Sequence, residues 1–277
     1  MDVLTWGRSP WGQWVLTHIS WDLLWASLLA GLAFLVAHAS YVRLSKHPAR
    51  NPAETDSLEA ARPDLPARVA RHSLAARAFH WVMAAAMFVL LFTAFLPIAG
   101  VKFAWVQWHW MAGLVLTASI AFHVVHASLW MDFWSIWVGP RDLPELKAEL
   151  LRELGHDAPG PKSGKYPLGN RLYHTAIVLV GLAVTGTGLL MLSRVRTPLF
   201  TRNPYWLGDT TWGLTYVAHG LAGVSLVGLV IAHVYFAVRP EKWWLTKAMV
   251  LGWITRRQYL EHHDPARWVV SKAKVEG

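Results

Sequence analysis

The chain has 277 residues, 54% of them hydrophobic and only 16% charged, with 26 Lys and Arg against 17 Asp and Glu for a formal charge of +9. A soluble domain carries about 25% charged residues, whereas here the apolar residues gather in blocks long enough to cross a bilayer, which excludes an ordinary soluble protein. Cysteine is absent, which excludes disulfides, cysteine-held iron–sulfur clusters and covalently attached c-type haem.

Five spans are predicted, at residues 21–42, 78–96, 108–130, 172–192 and 213–238. The first 20 residues hold one Arg and one Asp and lack the basic stretch of a cleaved signal peptide. Residues 1–44 are therefore expected to be an outer segment followed by a retained extra transmembrane helix, in which His38 is structural. Residues 45–76 are rich in Pro, Ala and charge, with His47-Pro48 and Arg62-Pro-Asp-Leu-Pro66 as breakers, and read as a cytoplasmic linker. Residues 77–240 are the expected functional core, interrupted by a cytoplasmic loop at 131–171. Within that loop, residues 143–154 alternate Leu with charged residues at helical spacing and predict a short surface helix, followed by a Gly- and Pro-rich loop at 156–169. In the tail, 241–277, an aromatic and basic amphipathic stretch at 243–259 is suited to a membrane interface.

None of the Lys or Arg lies inside the five apolar blocks. Segments 43–77, 141–171 and 239–274 hold 21 of them, and the alternate connections hold five: Arg8, Lys102, Arg194, Arg196 and Arg202. The positive-inside rule then predicts a multi-pass protein of the bacterial inner membrane with its amino terminus outside and its carboxyl terminus in the cytoplasm. The basic charge follows from topology and anionic lipid rather than from nucleic acid. Many of the 18 Trp fall at predicted helix ends, as aromatic belts do.

The core reads as two helical hairpins related by a weak repeat. One opens Arg77-Ala-Phe-His80 and the other Arg171-Leu-Tyr-His174, and each is followed by a helix beginning His-x-x-Ala-Gly: His109-Trp-Met-Ala-Gly113 and His219-Gly-Leu-Ala-Gly223. A second histidine stands 14 residues after each first one, at His123 and His233. In a helix that separation is close to four turns and ~21 Å, so both imidazoles face one way near opposite edges of a ~30 Å hydrocarbon core. One helix can serve two stacked haems in this way. Gly113 and Gly223 remove a side chain from the same face, where a flat macrocycle needs close backbone approach. The expected fold is an all-α membrane protein, a four-helix di-haem cytochrome b bundle plus one N-terminal transmembrane helix, with two haem b held by non-covalent ligation.

His109 and His219 are expected to form one bis-histidine site near the outer side. Near the cytoplasmic side His233 has two candidate partners, His80 and His123, and spacing does not decide between them. His126 and His174 lie at compatible depth, and for these two and His123 a hydrogen-bonding role between helices is equally expected. His18, His47, His72, His156, His262 and His263 fall in polar or interfacial segments and are expected to be solvated. Two histidines on one iron leave no open position for a substrate, so the chain is expected to pass electrons while substrate chemistry belongs to partner subunits. The alternatives are a histidine-based proton or ion transporter and a haem-free membrane anchor. Against the first, no Asp or Glu lies in the four core spans; against the second stands the polar cost of so many intramembrane histidines.

Arg77-Ala-Phe-His80-Trp81, the His109 helix, Gly164-Lys165-Tyr166-Pro167-Leu168-Gly169, and the helix of His219 and His233 resemble the gamma subunit of respiratory formate dehydrogenase and related cytochromes b of hydrogenases and molybdenum oxidoreductases. The resemblance covers about residues 71–268, including His262-His263-Asp264-Pro265, which is similar to a His-His-Pro-Arg-Trp stretch of that family. It implies His109 and His219 as ligands of the outer haem and His80, with His233, as ligands of the inner one. It also implies an iron–sulfur subunit and a catalytic subunit, molybdenum/tungsten or nickel–iron, as partners outside, and a quinone, menaquinone or ubiquinone, near the inner haem. The extra N-terminal helix and His123 have no counterpart there. Pro167 stands where the family has Asn in its quinone loop, and Asn170 is the candidate substitute. Arg77, Lys165 and Arg171 sit where a haem propionate or a quinone carbonyl would use a cation. Electrons arriving from outside and protons taken from the cytoplasm would separate charge, worth about 2.3 kcal/mol per electron for each 100 mV.

Overall fold

The computed structural model describes residues 3–44, 56–57, 59–153 and 162–270. The first part of the expected linker with His47, the loop segment with His156, and the last seven residues fall outside these.

The helices in chain order are α1 (Asp22–Leu44), α2 (Leu74–Phe95), α3 (Trp105–Trp130), α4 (Leu143–Glu153), α5 (Leu168–Leu192), α6 (Asp209–Val238), α7 (Trp243–Leu251) and α8 (Arg256–His262). Helices α1, α2, α3, α5 and α6 are long and apolar enough to cross a membrane, one for each predicted span. Several begin before their apolar block. Ser73 caps α2, its Oγ accepting from the Ala76 N–H at 3.2 Å, and Pro167 opens α5, its carbonyl accepting from Asn170 and Arg171 N–H. Arg77 and Arg171 consequently lie in the opening turns of spanning helices rather than ahead of them. Pro97 and Pro240 lie just beyond the ends of α2 and α6, where proline disfavours continuation.

Two small sheets lie beyond the expected helical elements. Strands β1 (Leu4–Arg8) and β2 (Trp14–Ile19) form an antiparallel hairpin, and β3 (Arg68–Ala70) pairs antiparallel with β4 (Trp253–Thr255). Three-residue strands carry no readable periodicity, and the second pair joins distant stretches of chain.

The chain forms two compact units, and each is discontinuous. One draws on Met1–Leu44, Phe79–His123 and Ile177–Tyr235, the other on Ser45–Ala78, Val124–Ala176 and Phe236–Gly277. The division cuts through the long helices.

In the first unit α1 lies along α6. Ser27 Oγ donates to the Val224 carbonyl at 3.0 Å, and His38 Nδ1 is 3.0 Å from the Tyr235 hydroxyl. Gly31 lets the backbones approach so closely that a Cβ there would stand 3.0 Å from Ile231 Cδ1. The hairpin seats on the start of α6, where a Cβ at Gly213 would overlap the Leu16 carbonyl oxygen. Large apolar side chains such as Leu29, Phe92, Leu179 and Leu182 point outward, as lipid-facing residues do.

The second unit has its own apolar core of Leu65, Val69, Ala248, Ile254, Tyr259 and Leu260, with Trp244, Trp268 and Val270 packed against it. Strand β3 reaches this core through Val69 and β4 through Ile254. The amphipathic stretch expected at 243–259 is broken by Gly252, which ends α7 with φ +90°. The Gly252 carbonyl accepts from Arg71 and His72 N–H at 2.8 and 3.0 Å, and a Cβ at Gly252 would stand 2.9 Å from the His72 carbonyl oxygen. Thr255 then caps α8, accepting from the Gln258 N–H. Helix α4 forms as expected, but Glu145 and Ala148 face inward while Leu143 and Leu146 are exposed. The inward acid has arginine partners, described below.

Candidate functional site

Four histidines of the first unit stand as two facing pairs. His109 on α3 and His219 on α6 have ring centroids 6.2 Å apart at an interplanar angle of 72°. His80 on α2 and His233 on α6 have centroids 6.4 Å apart at 50°. A metal–imidazole bond is ~2.0 Å and the ring centroid lies ~1.15 Å behind the ligating nitrogen, so two imidazoles on opposite sides of one metal have centroids ~6.3 Å apart. Both pairs stand at that span, so these side chains fit a metal centre held between two imidazoles. His219 and His233 share one continuous helix, which separates the two levels by ~21 Å.

The space beside the rings suits a flat group. A Cβ added at Gly113 would come no closer than 3.9 Å to Leu90, and one at Gly223 no closer than 4.0 Å to Phe95. A Cβ at Gly188 on α5 would stand 3.3 Å from His219 Cε1, so a bare backbone position brings α5 against this ring.

Two residues that sequence reading had passed over touch the pair on α3 and α6. Thr93 Oγ1 is 2.9 Å from His109 Nδ1, and Thr187 Oγ1 is 3.0 Å from His219 Nδ1. Thr93 follows His80 by 13 residues and Thr187 follows His174 by 13. Aligning the two hairpins on their Arg-x-x-His openings would have found them. His80 Nδ1, by contrast, is buried without a hydrogen-bond partner among the described residues.

The other candidates are placed as follows. His123 stacks on Phe79, with centroids 4.2 Å apart at 12°. In the second unit His126 is buried and stacks on Trp130, while His174 meets Trp137 edge-on at 5.1 Å. Arg77 Nη1 donates to the Val250 carbonyl at 2.6 Å, and its buried Nε has no hydrogen bond among the described residues. Arg171 is buried and pairs with Asp142 and with Glu145 at 3.0 Å. Arg267 joins both carboxylates, at 3.5 and 3.0 Å, and Ser163 Oγ donates to Glu145 at 3.0 Å. Burial would raise the Asp142 carboxyl, but the Arg171 hydrogen bond, the Gly139 N–H and the two guanidinium charges outweigh it and hold the group below the usual carboxylate range. Asn170 is exposed on the first turn of α5, and Lys165 lies over the Tyr166 ring at 5.5 Å.

One expectation is corrected. His263 is 0% exposed rather than solvated. Its Nδ1–H donates to the Gly164 carbonyl at 2.7 Å and its Nε2 accepts from Arg71 Nη1 at 3.0 Å. The rings of Tyr166, Trp244 and Trp268 surround the Arg71 guanidinium at 5.8, 5.6 and 5.5 Å. These partners come from distant stretches of chain, which is why the polar look of His262-His263-Asp264 misleads. Burial lowers Arg71 to about 10; burial and then the Arg71 charge lower His263 to about 3. His262 stacks on Trp244 at 4.5 Å.

A sequence profile for the family described as prokaryotic cytochrome b561 matches residues 71–252, about two thirds of the chain. The chain is also 23% identical over 218 residues to a protein of Haemophilus influenzae named formate dehydrogenase, cytochrome b556 subunit, a match that spans 73% of this chain and 82% of that protein. The profile match takes in both histidine pairs and both threonines, and leaves out α1.

Proposed function

For this chain, which belongs to the prokaryotic cytochrome b561 family, we propose the role of membrane-anchoring di-haem subunit of a respiratory oxidoreductase complex. Family membership makes it a membrane cytochrome b that binds haem b and takes part in electron transfer. In our reading it holds two haem b, one between His109 and His219 and one between His80 and His233. The observation that carries this reading is the pair of imidazole separations, 6.2 and 6.4 Å, on helices long enough to span a bilayer.

A haem bound between two histidines exchanges single electrons and offers no open position to a substrate. The chain's own residues supply the rest. His219 and His233 project from one helix at two depths, and the apolar helices keep water from the rings. Gly113 and Gly223 leave room beside the first histidine of each His-x-x-Ala-Gly phrase.

The finer reading follows the relative's name. As a formate dehydrogenase-like cytochrome b, the chain would join an iron–sulfur subunit and a molybdenum/tungsten or nickel–iron catalytic subunit on the outer face. It would exchange electrons with menaquinone or ubiquinone near the inner haem, with its amino terminus outside and its carboxyl terminus in the cytoplasm of a bacterium. For a quinone carbonyl or haem propionate Arg77 is the better cation, because two carboxylates already offset Arg171. Asn170, exposed at the start of α5, is a candidate hydrogen-bonding partner for the quinone.

The test is the haem b content of the detergent-purified protein, measured by pyridine haemochrome with a dithionite-reduced spectrum. Two haems per polypeptide are expected, falling to one when His109 and His219 are both replaced by Ala. One haem in the unaltered protein would remove the two-site reading, and none would remove haem binding by this chain.

A further inference from the structure

We infer that Thr93 and Thr187 are positioning residues for the outer pair of histidines, each hydroxyl accepting the Nδ1–H of His109 or His219 and so turning a bare Nε2 toward the metal centre. The inference rests on the haem reading above and deepens it.

Each hydroxyl has a single proton to give. Thr93 Oγ1 lies 2.7 Å from the Val89 carbonyl oxygen, and Thr187 Oγ1 lies 2.6 Å from that of Ala183. Two oxygens approach so closely when a proton lies between them, so each hydroxyl donates to its helix carbonyl. The same oxygen is then an acceptor for the ring nitrogen 2.9 or 3.0 Å away. That nitrogen carries the proton, which leaves Nε2 of both imidazoles with its lone pair free, the form a metal requires.

Back-bonding to the carbonyl four residues earlier is ordinary for Thr in a helix, and Thr117 and Thr175 do it too, to Gly113 and Arg171. What distinguishes Thr93 and Thr187 is the histidine ring on the other side of the oxygen. They occupy equivalent positions of the two hairpins, and each supports one ring of the same pair. Of the inner candidates, His80 has no such support at Nδ1 among the described residues. His80 therefore differs from His109 and His219 in what lies behind the ring, although the ring separations match.

An acceptor behind Nδ1–H makes Nε2 more basic and favours ferric over ferrous iron. Removing it should raise the reduction potential of the outer haem alone. The variants are Thr93→Val and Thr187→Val, which keep shape but lose the hydroxyl, and Thr93→Ser and Thr187→Ser, which keep it. Redox titration of the purified full chain, followed optically and by electron paramagnetic resonance, supplies readouts independent of turnover. In the Val variants one of two potentials is expected to rise while the other stays. A tenfold loss of ferric preference would read as about 59 mV for one electron. Ser should restore the unaltered value. Selective loss of one haem in Val but not Ser variants would support the same role. Unchanged potentials and resonance in the Val variants, or Ser variants that behave as Val, would overturn it. An unaltered chain that binds no haem would overturn the function reading and this inference with it.

Discussion

Arg71 and His263 are separated by almost the whole second unit in sequence and meet in a buried hydrogen bond of 3.0 Å, the guanidinium donating to His263 Nε2. His263 must be neutral to accept it. A buried cation with an aromatic cage and a neutral imidazole is a stable arrangement only while that imidazole stays unprotonated.

From this follows a pH dependence of stability. His263 is lowered to about 3 in the fold against an ordinary value of 6.5, so between those values the unfolded chain binds the extra proton. Its contribution is complete above about pH 6.5 and is lost as pH falls toward 3, by up to ~1.4 kcal/mol per pH unit. Thermal unfolding in detergent between pH 4.5 and 7 should show a steeper fall for the unaltered protein than for His263→Gln, which keeps a donor and an acceptor but cannot be protonated. Equal slopes would mean that His263 does not titrate this way.

Replacement of single histidines should separate the two candidate inner ligands. His80→Ala is expected to reduce haem b from two per polypeptide to one. His123→Ala, which removes a ring stacked on Phe79, should leave two. Haem lost from the second variant and kept by the first would reverse the assignment.

Removing Arg171 takes the buried cation from two buried carboxylates and leaves them the partly exposed Arg267. Breaking a buried ion pair from one side costs about 3–5 kcal/mol, so Arg171→Met should unfold at lower temperature or fail to accumulate. Arg267→Met should cost less, because that side chain is partly exposed, 31% against 6% for Arg171. If thermal unfolding ranked Arg267→Met as the more damaging, the cluster would not be organised around Arg171.

Gly252 and Gly100 share a φ of +90°, but a Cβ meets the His72 carbonyl oxygen at 2.9 Å in the first case and nothing within 4 Å in the second. Gly100→Ala should therefore show the left-handed backbone strain alone, roughly 1–2 kcal/mol. Gly252→Ala should lose more, because the backbone accepting from Arg71 and His72 must also move. Comparable melting shifts for the two would contradict the close approach.

Much of the spanning architecture was legible because lipid imposes a rule that can be read one segment at a time. A segment of about 20 apolar residues must satisfy its own backbone hydrogen bonds, and a helix does so without a partner. All five spans were found on that ground. The 14-residue interval placed His219 and His233 on one face by the same local logic. Helix starts were less legible, since Ser73 and Pro167 extend α2 and α5 outward past Arg77 and Arg171, where apolarity gives no signal.

By itself, then, the sequence determined the five helices long and apolar enough to span a bilayer among the described residues, the position of each histidine along its helix and the absence of cysteine chemistry. Only the tertiary structure decided which ring faces which, bringing His80 on α2 within 6.4 Å of His233 on α6. It alone buried His263 against Arg71, turned Glu145 inward to Arg171 and put a threonine behind each ring of the His109 and His219 pair. The physical reason is range. Helix formation and bilayer burial are settled within one segment, whereas a hydrogen bond or ion pair between side chains depends on how separate segments pack, and the lateral packing of apolar helices leaves little trace in their order along the chain.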